Sequence, residues 1–203
     1  MKLKNLLLLT MILPAALWSQ DMTTAITYNT AFPVGNLHKF TDEMSWRGIG
    51  LEFRDMKNAD FGYGLVTGWN VFSQLGRGET IEFDNAAISG TNVRSVNSFP
   101  ILLNANYFFG QRGEVRPFLG LNAGTYYISR QFDIGTTSFF EDNWHFGLAP
   151  EGGFWVPVDR RTFIIFSGRY NYAFSAGETY LKGASTAYAY WGFNIGVGYS
   201  YDL

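Results

Sequence analysis

Glu52, Arg54, Glu151 and Arg169 are charges set inside stretches of alternating bulky and small residues. Two acids and two bases sum to zero, which suits a mutual salt-bridge cluster out of contact with water, because a buried charge is tolerated only when paired. A second grouping is His145, preceded by Glu141 and Asp142. An acid–histidine pair can act as a general base, although a lone histidine at the end of an aromatic-rich segment equally suits a packing role. His38 falls in a connecting segment, where solvation suffices for it. The lack of cysteine excludes thiolate chemistry and disulfides, two histidines argue against a multi-histidine metal site, and no cofactor is expected. The runs Gly48–Gly50 and Gly196–Gly198 lie within alternating segments rather than at a strand-to-helix turn, so neither is a phosphate loop. Arg160 and Arg161 stand together in a short turn, placed to be solvated.

The segments that carry these residues alternate with a period of two, the signature of strands. Eight are legible: Thr23–Pro33, Trp46–Met56, Phe61–Phe72, Ser98–Phe109, Arg116–Ile128, Trp144–Val156, Thr162–Phe174 and Ala187–Tyr201. In the last, Trp191, Phe193, Ile195, Val197, Tyr199 and Tyr201 alternate with Gly192, Asn194, Gly196, Gly198 and Ser200. Short connections (Lys57–Asp60, Gly110–Val115, Pro157–Arg161) alternate with long ones (Val34–Ser45, Ser73–Asn97, Ser129–Asn143, Ser175–Thr186). Each segment is long enough to cross a bilayer as a tilted strand of about 9–11 residues. The expected fold class is all-β: an eight-stranded antiparallel up-and-down transmembrane β-barrel with short periplasmic turns and long extracellular loops.

Period two alone does not say which face is wet. A soluble eight-stranded barrel turns its apolar face inward and coats the other with lysine and glutamate. The eight segments hold 100 residues without a lysine and with seven charges: Arg47, Glu52, Arg54, Asp55, Arg116, Glu151 and Arg169. Their polar face is glycine and asparagine, a poor coat for water. Glu52, Arg54, Glu151 and Arg169 share the parity of that face, so the apolar face is expected toward lipid and the four charges inside the barrel. Aromatics gather at both segment ends, with Trp46, Trp69, Trp144, Tyr188 and Trp191 at one and Phe61, Tyr63, Phe109, Trp155, Tyr199 and Tyr201 at the other. Such girdles mark membrane interfaces. Pro100 and Pro150 fall within segments, where each is expected at a bulge or a strand boundary.

Two lysines, an apolar run and small residues order residues 1–19 as a signal peptide, cleaved after Ser19, leaving 20–203 as the barrel and the cell outer membrane as its destination. Among 203 residues, 15 basic and 17 acidic side chains give a net charge of −2, which argues against a nucleic-acid partner.

The stretches YNTAFPVGNL, WRGIGLEFR, RPFLGLNAGTYY, FGLAPEGGFW and GFNIGVGYSYDL, spread over the whole mature chain, resemble the small outer-membrane β-barrel domain family of the OmpA/OmpX/OmpW-like kind. That resemblance implies eight antiparallel strands, insertion by the barrel assembly machinery, and outer-membrane lipids and lipopolysaccharide as surroundings. The family's closing strand typically ends in an aromatic residue, whereas this chain ends in Leu203. The functional expectation is a non-enzymatic structural or surface-contact protein acting through its extracellular loops, with no surface ligand indicated. Ser73–Asn97, bearing Asn85, Ser89, Asn92 and Ser95, is the leading contact loop. The alternatives are a narrow conduit for small or apolar molecules, as in OmpW-like relatives, and a lipid-modifying enzyme using His145.

Overall fold

The computed structural model describes residues 22–82, 87–134, 137–177 and 186–201. The expected signal peptide, Asn85 and Leu203 lie outside the described residues. The strands are β1 (Met22–Val34), β2 (Arg47–Met56), β3 (Phe61–Glu82), β4 (Ala87–Phe108), β5 (Arg116–Ile134), β6 (Thr137–Pro157), β7 (Thr162–Ala173) and β8 (Tyr188–Ser200), with a short helix α1 (Gly35–Phe40) after β1. Each strand pairs antiparallel with its sequence neighbour, and β8 returns to β1 from Thr23↔Ser200 to Val34↔Ala189, closing the barrel. Closure leaves no free sheet edge in the wall, the requirement for a sheet in an apolar solvent.

Alternation sorts the side chains as expected. Outward lie Leu51, Leu103, Leu121, Phe193, Ile195 and Val197, with Leu103 71% exposed. Inward lie Thr27, Asn29, Asn104, Asn122 and Asn194 with the four charges. Trp69, Phe99, Tyr127 and Trp144 form a continuous outward row across β3 to β6, with ring centroids 5.7, 6.1 and 5.2 Å apart in turn. The Trp69 indole donates to Asn97 Oδ1 at 3.0 Å, on the side of the row away from the short turns. At the short-turn end, Tyr107 meets Phe109 and Tyr199 meets Tyr201. At about 3.3 Å per residue and a tilt of about 40°, the run from Trp191 to Tyr201 rises about 25 Å, the height of an outer-membrane apolar band.

Three features differ from the sequence reading. First, Ser73–Asn97 and Ser129–Asn143 are not long loops, since β3 and β4 stay paired from Phe61↔Tyr107 to Glu82↔Ala87, and β5 and β6 to Ile134↔Thr137. The four strands form one sheet that continues about 30 Å beyond the Trp69 row. Within it the pattern becomes mixed: Phe72, Val96, Ile128 and Phe132 are buried inside with Asn92 and Arg130, while Ser73, Ser95, Gln131 and Asp133 face out among Leu75, Val93 and Phe140. A sheet leaving lipid for water must turn its polar side outward. Read with a single polarity, those residues look like loop. Asn92, offered as a contact residue, is accordingly buried.

Second, Pro100 and Pro150 mark neither bulges nor strand ends. Pro100 pairs with Tyr126 and Pro150 with Leu121, while the ladders to β3 and β7 skip two positions and resume in the same register. In an antiparallel ladder each residue bonds to one neighbour only, so the missing N–H is lost on a single side. Third, Trp155 and Tyr188 belong to no girdle but point inward, 8% and 5% exposed. The alternation that buries Glu151 also buries Trp155, four residues on.

Candidate functional site: the filled barrel interior

β2 delivers Glu52 and Arg54 to the same inner face, two residues apart, and β6 and β7 deliver Glu151 and Arg169 as a direct cross-strand pair. The two pairs meet across the lumen. Arg169 Nη2 donates to Glu52 Oε1 at 3.0 Å and to Glu151 Oε1 at 2.9 Å. Arg54 Nη2 stands 2.7 Å from Glu52 Oε2 as a charge contact rather than an aligned hydrogen bond, and 4.0 Å from Glu151 Oε2. An amide chain completes the layer: Arg54 Nε donates to Asn104 Oδ1 (3.2 Å), Asn104 Nδ2 to Asn122 Oδ1 (2.6 Å), and Asn122 Nδ2 to Glu151 Oε2 (3.1 Å). All four charged side chains are at least nine-tenths buried. The expected cluster is thus formed, and every member is answered by an opposite charge.

Apolar layers close the polar one on both sides. Toward the short turns, Met56, Phe108, Phe118, Trp155, Phe163 and Ile165 pack together, with Trp155 stacked on Phe163 at 4.1 Å. The Arg54 guanidinium lies 5.3 Å from the Phe118 ring centre, so the charge layer rests on aromatic faces. Toward the long connections, Leu37 and Phe40 of α1 fold into the barrel and join Phe72, Tyr126, Tyr188 and Tyr190. The Arg130 guanidinium stands 4.2 Å above the Phe40 ring, Arg94 Nη1 donates to Phe40 O at 3.3 Å, and Arg130 pairs with Glu141 at 3.0 Å. This upper latch escaped the sequence reading because Val34–Ser45 and Ser129–Asn143 were taken as loops. The alternation of Ile128, Arg130 and Phe132 with Ser129 and Gln131 was the available signal.

At two inward glycines the space beside the backbone is already occupied. A Cβ on Gly64 would lie 1.8 Å from Phe53 O, so this glycine lets the coiled strands approach. A Cβ on Gly198 would lie 2.1 Å from the Phe163 ring, which occupies the space beside it.

His145 lies in the upper interior rather than at an open rim. It is 1% exposed, donates from Nδ1 to Phe174 O at 2.8 Å, and meets Tyr188 edge-on. Glu141 is engaged by Arg130, and Asp142 faces outward, so the acid–histidine pair is not assembled. His38 sits on α1, exposed.

No protein-family model matches the chain, and no curated protein matches its sequence. Solved structures do. Neisserial surface protein A superposes with a TM-score of 0.58 at 16% identity, covering 89% of this chain and 97% of the other. The outer membrane protein OprG from Pseudomonas aeruginosa gives 0.52 at 19% identity, covering 91% and 97%. The chain has the fold of the small outer-membrane β-barrels. At these identities the likeness concerns architecture alone. The barrel's own side chains must carry any reading of its activity.

Proposed function

We propose that the protein is an integral outer-membrane β-barrel, without enzymatic activity, that presents an extracellular sheet for contact with other surfaces. The single observation behind this reading is the change of polarity along β3 to β6. Below the Trp69–Trp144 row the outer wall is an apolar belt that includes Leu51, Leu103, Leu121 and Ile195; above it Ser73, Ser95, Gln131 and Asp133 stand among Leu75, Val93 and Phe140 on the outer wall, and Phe72, Val96, Ile128 and Phe132 pack inside beside Arg130. A wall built for one solvent has no reason to change polarity, whereas one that passes from acyl chains into water must. Outer-membrane lipids and lipopolysaccharide then surround the belt, and the barrel assembly machinery inserts it. Kinship of fold with outer-membrane barrels supports the same placement.

The contact role rests on the projecting sheet. β3 pairs with β2 only as far as Val71, and β6 with β7 only from Gly147 onward, so both flanks of the projection lack a partner strand among the described residues. Unpaired N–H and C=O rows of that kind accept an added strand through backbone hydrogen bonds.

The absence of native cysteine provides the test. Single variants Ser95→Cys, Leu103→Cys and Lys57→Cys are treated on intact cells with a membrane-impermeant maleimide. Ser95→Cys should label, Leu103→Cys should not, and Lys57→Cys should label only after the outer membrane is permeabilised. Labelling of all three, or recovery of the protein in the soluble fraction, overturns the reading. Deletion of residues 77–90 should leave the barrel folded and remove any gain in cell attachment conferred by expression. Unchanged attachment would sink the contact role.

A further inference from the structure

The short-turn end of the barrel carries a feature that the interior charge layer does not use. A cavity of about 150 Å³ opens there, floored by Trp155 and Phe163 and walled by the turns after β4 and β6. Arg112, Arg116, Arg160 and Arg161 all line it, against the carboxylates of Glu114 and Asp159. Asp159 is already committed, since its Oδ1 accepts the backbone N–H groups of Arg161 and Thr162 at 2.7 and 2.8 Å, and these hold its carboxyl below the usual range. Arg116 is paired with Asp60 at 3.3 Å, and the other three guanidinium groups exceed the two lining carboxylates by one positive charge. Behind the cavity lining, Arg116 Nε and Trp155 Nε1 are enclosed without an acceptor, both side chains being more than nine-tenths buried. Native proteins rarely leave such donors without an acceptor. The hydroxyls of Thr23, Thr162 and Ser200 complete a donor-rich lining.

We propose that this cavity binds a phosphate-type oxyanion, held by the arginine forks of Arg112 and Arg160 over the Trp155 floor. Guanidinium matches phosphate oxygens in planar, bidentate geometry, and the cavity is large enough for one tetrahedral anion with attendant water. Inorganic phosphate and the headgroup of an anionic phospholipid present the same chemistry here. The site stands on its own geometry; only its assignment to the periplasmic side rests on the membrane reading.

The test uses the mature barrel refolded in zwitterionic micelles and, separately, in bilayer discs of phosphatidylcholine with or without phosphatidylglycerol. The probe is the ¹⁵N–¹H signal of the Trp155 indole, identified by its loss in Trp155→Phe. Saturable movement of that signal with inorganic phosphate is the expected result for a soluble ligand. Movement only in discs containing phosphatidylglycerol identifies a headgroup. The double variant Arg112→Gln/Arg160→Gln alters exposed turn residues and should keep heat-modifiable gel migration while weakening binding about tenfold or more, the scale of a charge-assisted hydrogen bond. No movement with either probe, or undiminished affinity in the double variant, overturns the proposal. That outcome would leave the outer-membrane reading intact, because the labelling experiment does not involve this end's arginines.

Discussion

At the scale of single residues, the interior is governed by the cost of leaving a charge alone. Arg169 contacts both glutamates, so Arg169→Met leaves Glu52 and Glu151 to share Arg54 alone, with one buried negative charge in excess. The expected loss is about 3–5 kcal/mol, read from urea unfolding of the refolded barrel in lipid. Replacing the cluster as a whole by apolar residues of similar volume should cost far less, because a paired buried cluster contributes little net stability while a broken one is expensive. Equal losses in the two experiments would show that the ion pairs themselves hold the barrel together. Phe40 is the comparable residue of the upper layer. Phe40→Ala should leave the wall intact and raise hydrogen exchange within Gly35–Phe40. In planar bilayers the parent barrel should give no channel events. Steady conductance by the parent would refute a filled interior.

At the scale of elements, the strands follow two rules in sequence: glycine and amide residues alternate with an unbroken apolar outer face within the belt, and the outer face takes on polar side chains beyond the Trp69 row. Gly64 tests the packing side of the first rule. Gly64→Leu forces a side chain against the β2 backbone and should abolish the heat-modifiable folded band altogether, whereas an outward Ala105→Leu should fold. The β6–β7 turn shows pH linkage on a small scale. Asp159 has its folded-state pKa depressed by the two N–H donors it accepts, so its contribution is full above the ordinary carboxylate range and lost as pH falls through the depressed value. Asp159→Asn should therefore weaken the turn at neutral pH and make no difference under strongly acid conditions, measured by amide exchange at Arg161 and Thr162. Strand number, closure and the inner position of Glu52, Arg54, Glu151 and Arg169 were legible in the sequence, because period two and the scarcity of charge carry that information locally. The extensions of β3 to β6 were not, because beyond the Trp69 row both faces carry polar and apolar side chains together, as Ser73 with Leu75 outside and Phe132 with Arg130 inside, and the alternation fades. The positions of Trp155 and Tyr188 were obscured by counting aromatics at strand ends without following parity. α1 has no side-chain cap at Val34, so nothing local announced a helix; Leu37 and Phe40 find their place only against strands far away in sequence.

At the scale of the whole molecule, the decisive question is which solvent each level of the wall meets. Leu103 faces outward at mid-belt and Ser95 faces outward on the same strand beyond the aromatic row. Leu103→Arg should cost about 2–4 kcal/mol in a lipid-embedded barrel, and Ser95→Arg close to nothing. A barrel dissolved in water would tolerate both alike. The strand lengths also make the molecule lopsided. β1, β2, β7 and β8 end near the belt, while β3 to β6 run on together along one flank. The closing seam lies opposite, between the first and last strands, and joins residues as distant along the chain as Thr23 and Ser200. Contacts so remote in sequence are the slowest to form. The tall flank can therefore zip up hairpin by hairpin from local pairings, while β1 and β8 wait with their margins bare until every other strand is placed. The final stitch of assembly thus falls between two short strands, and the bulky projecting half never has to pass through it.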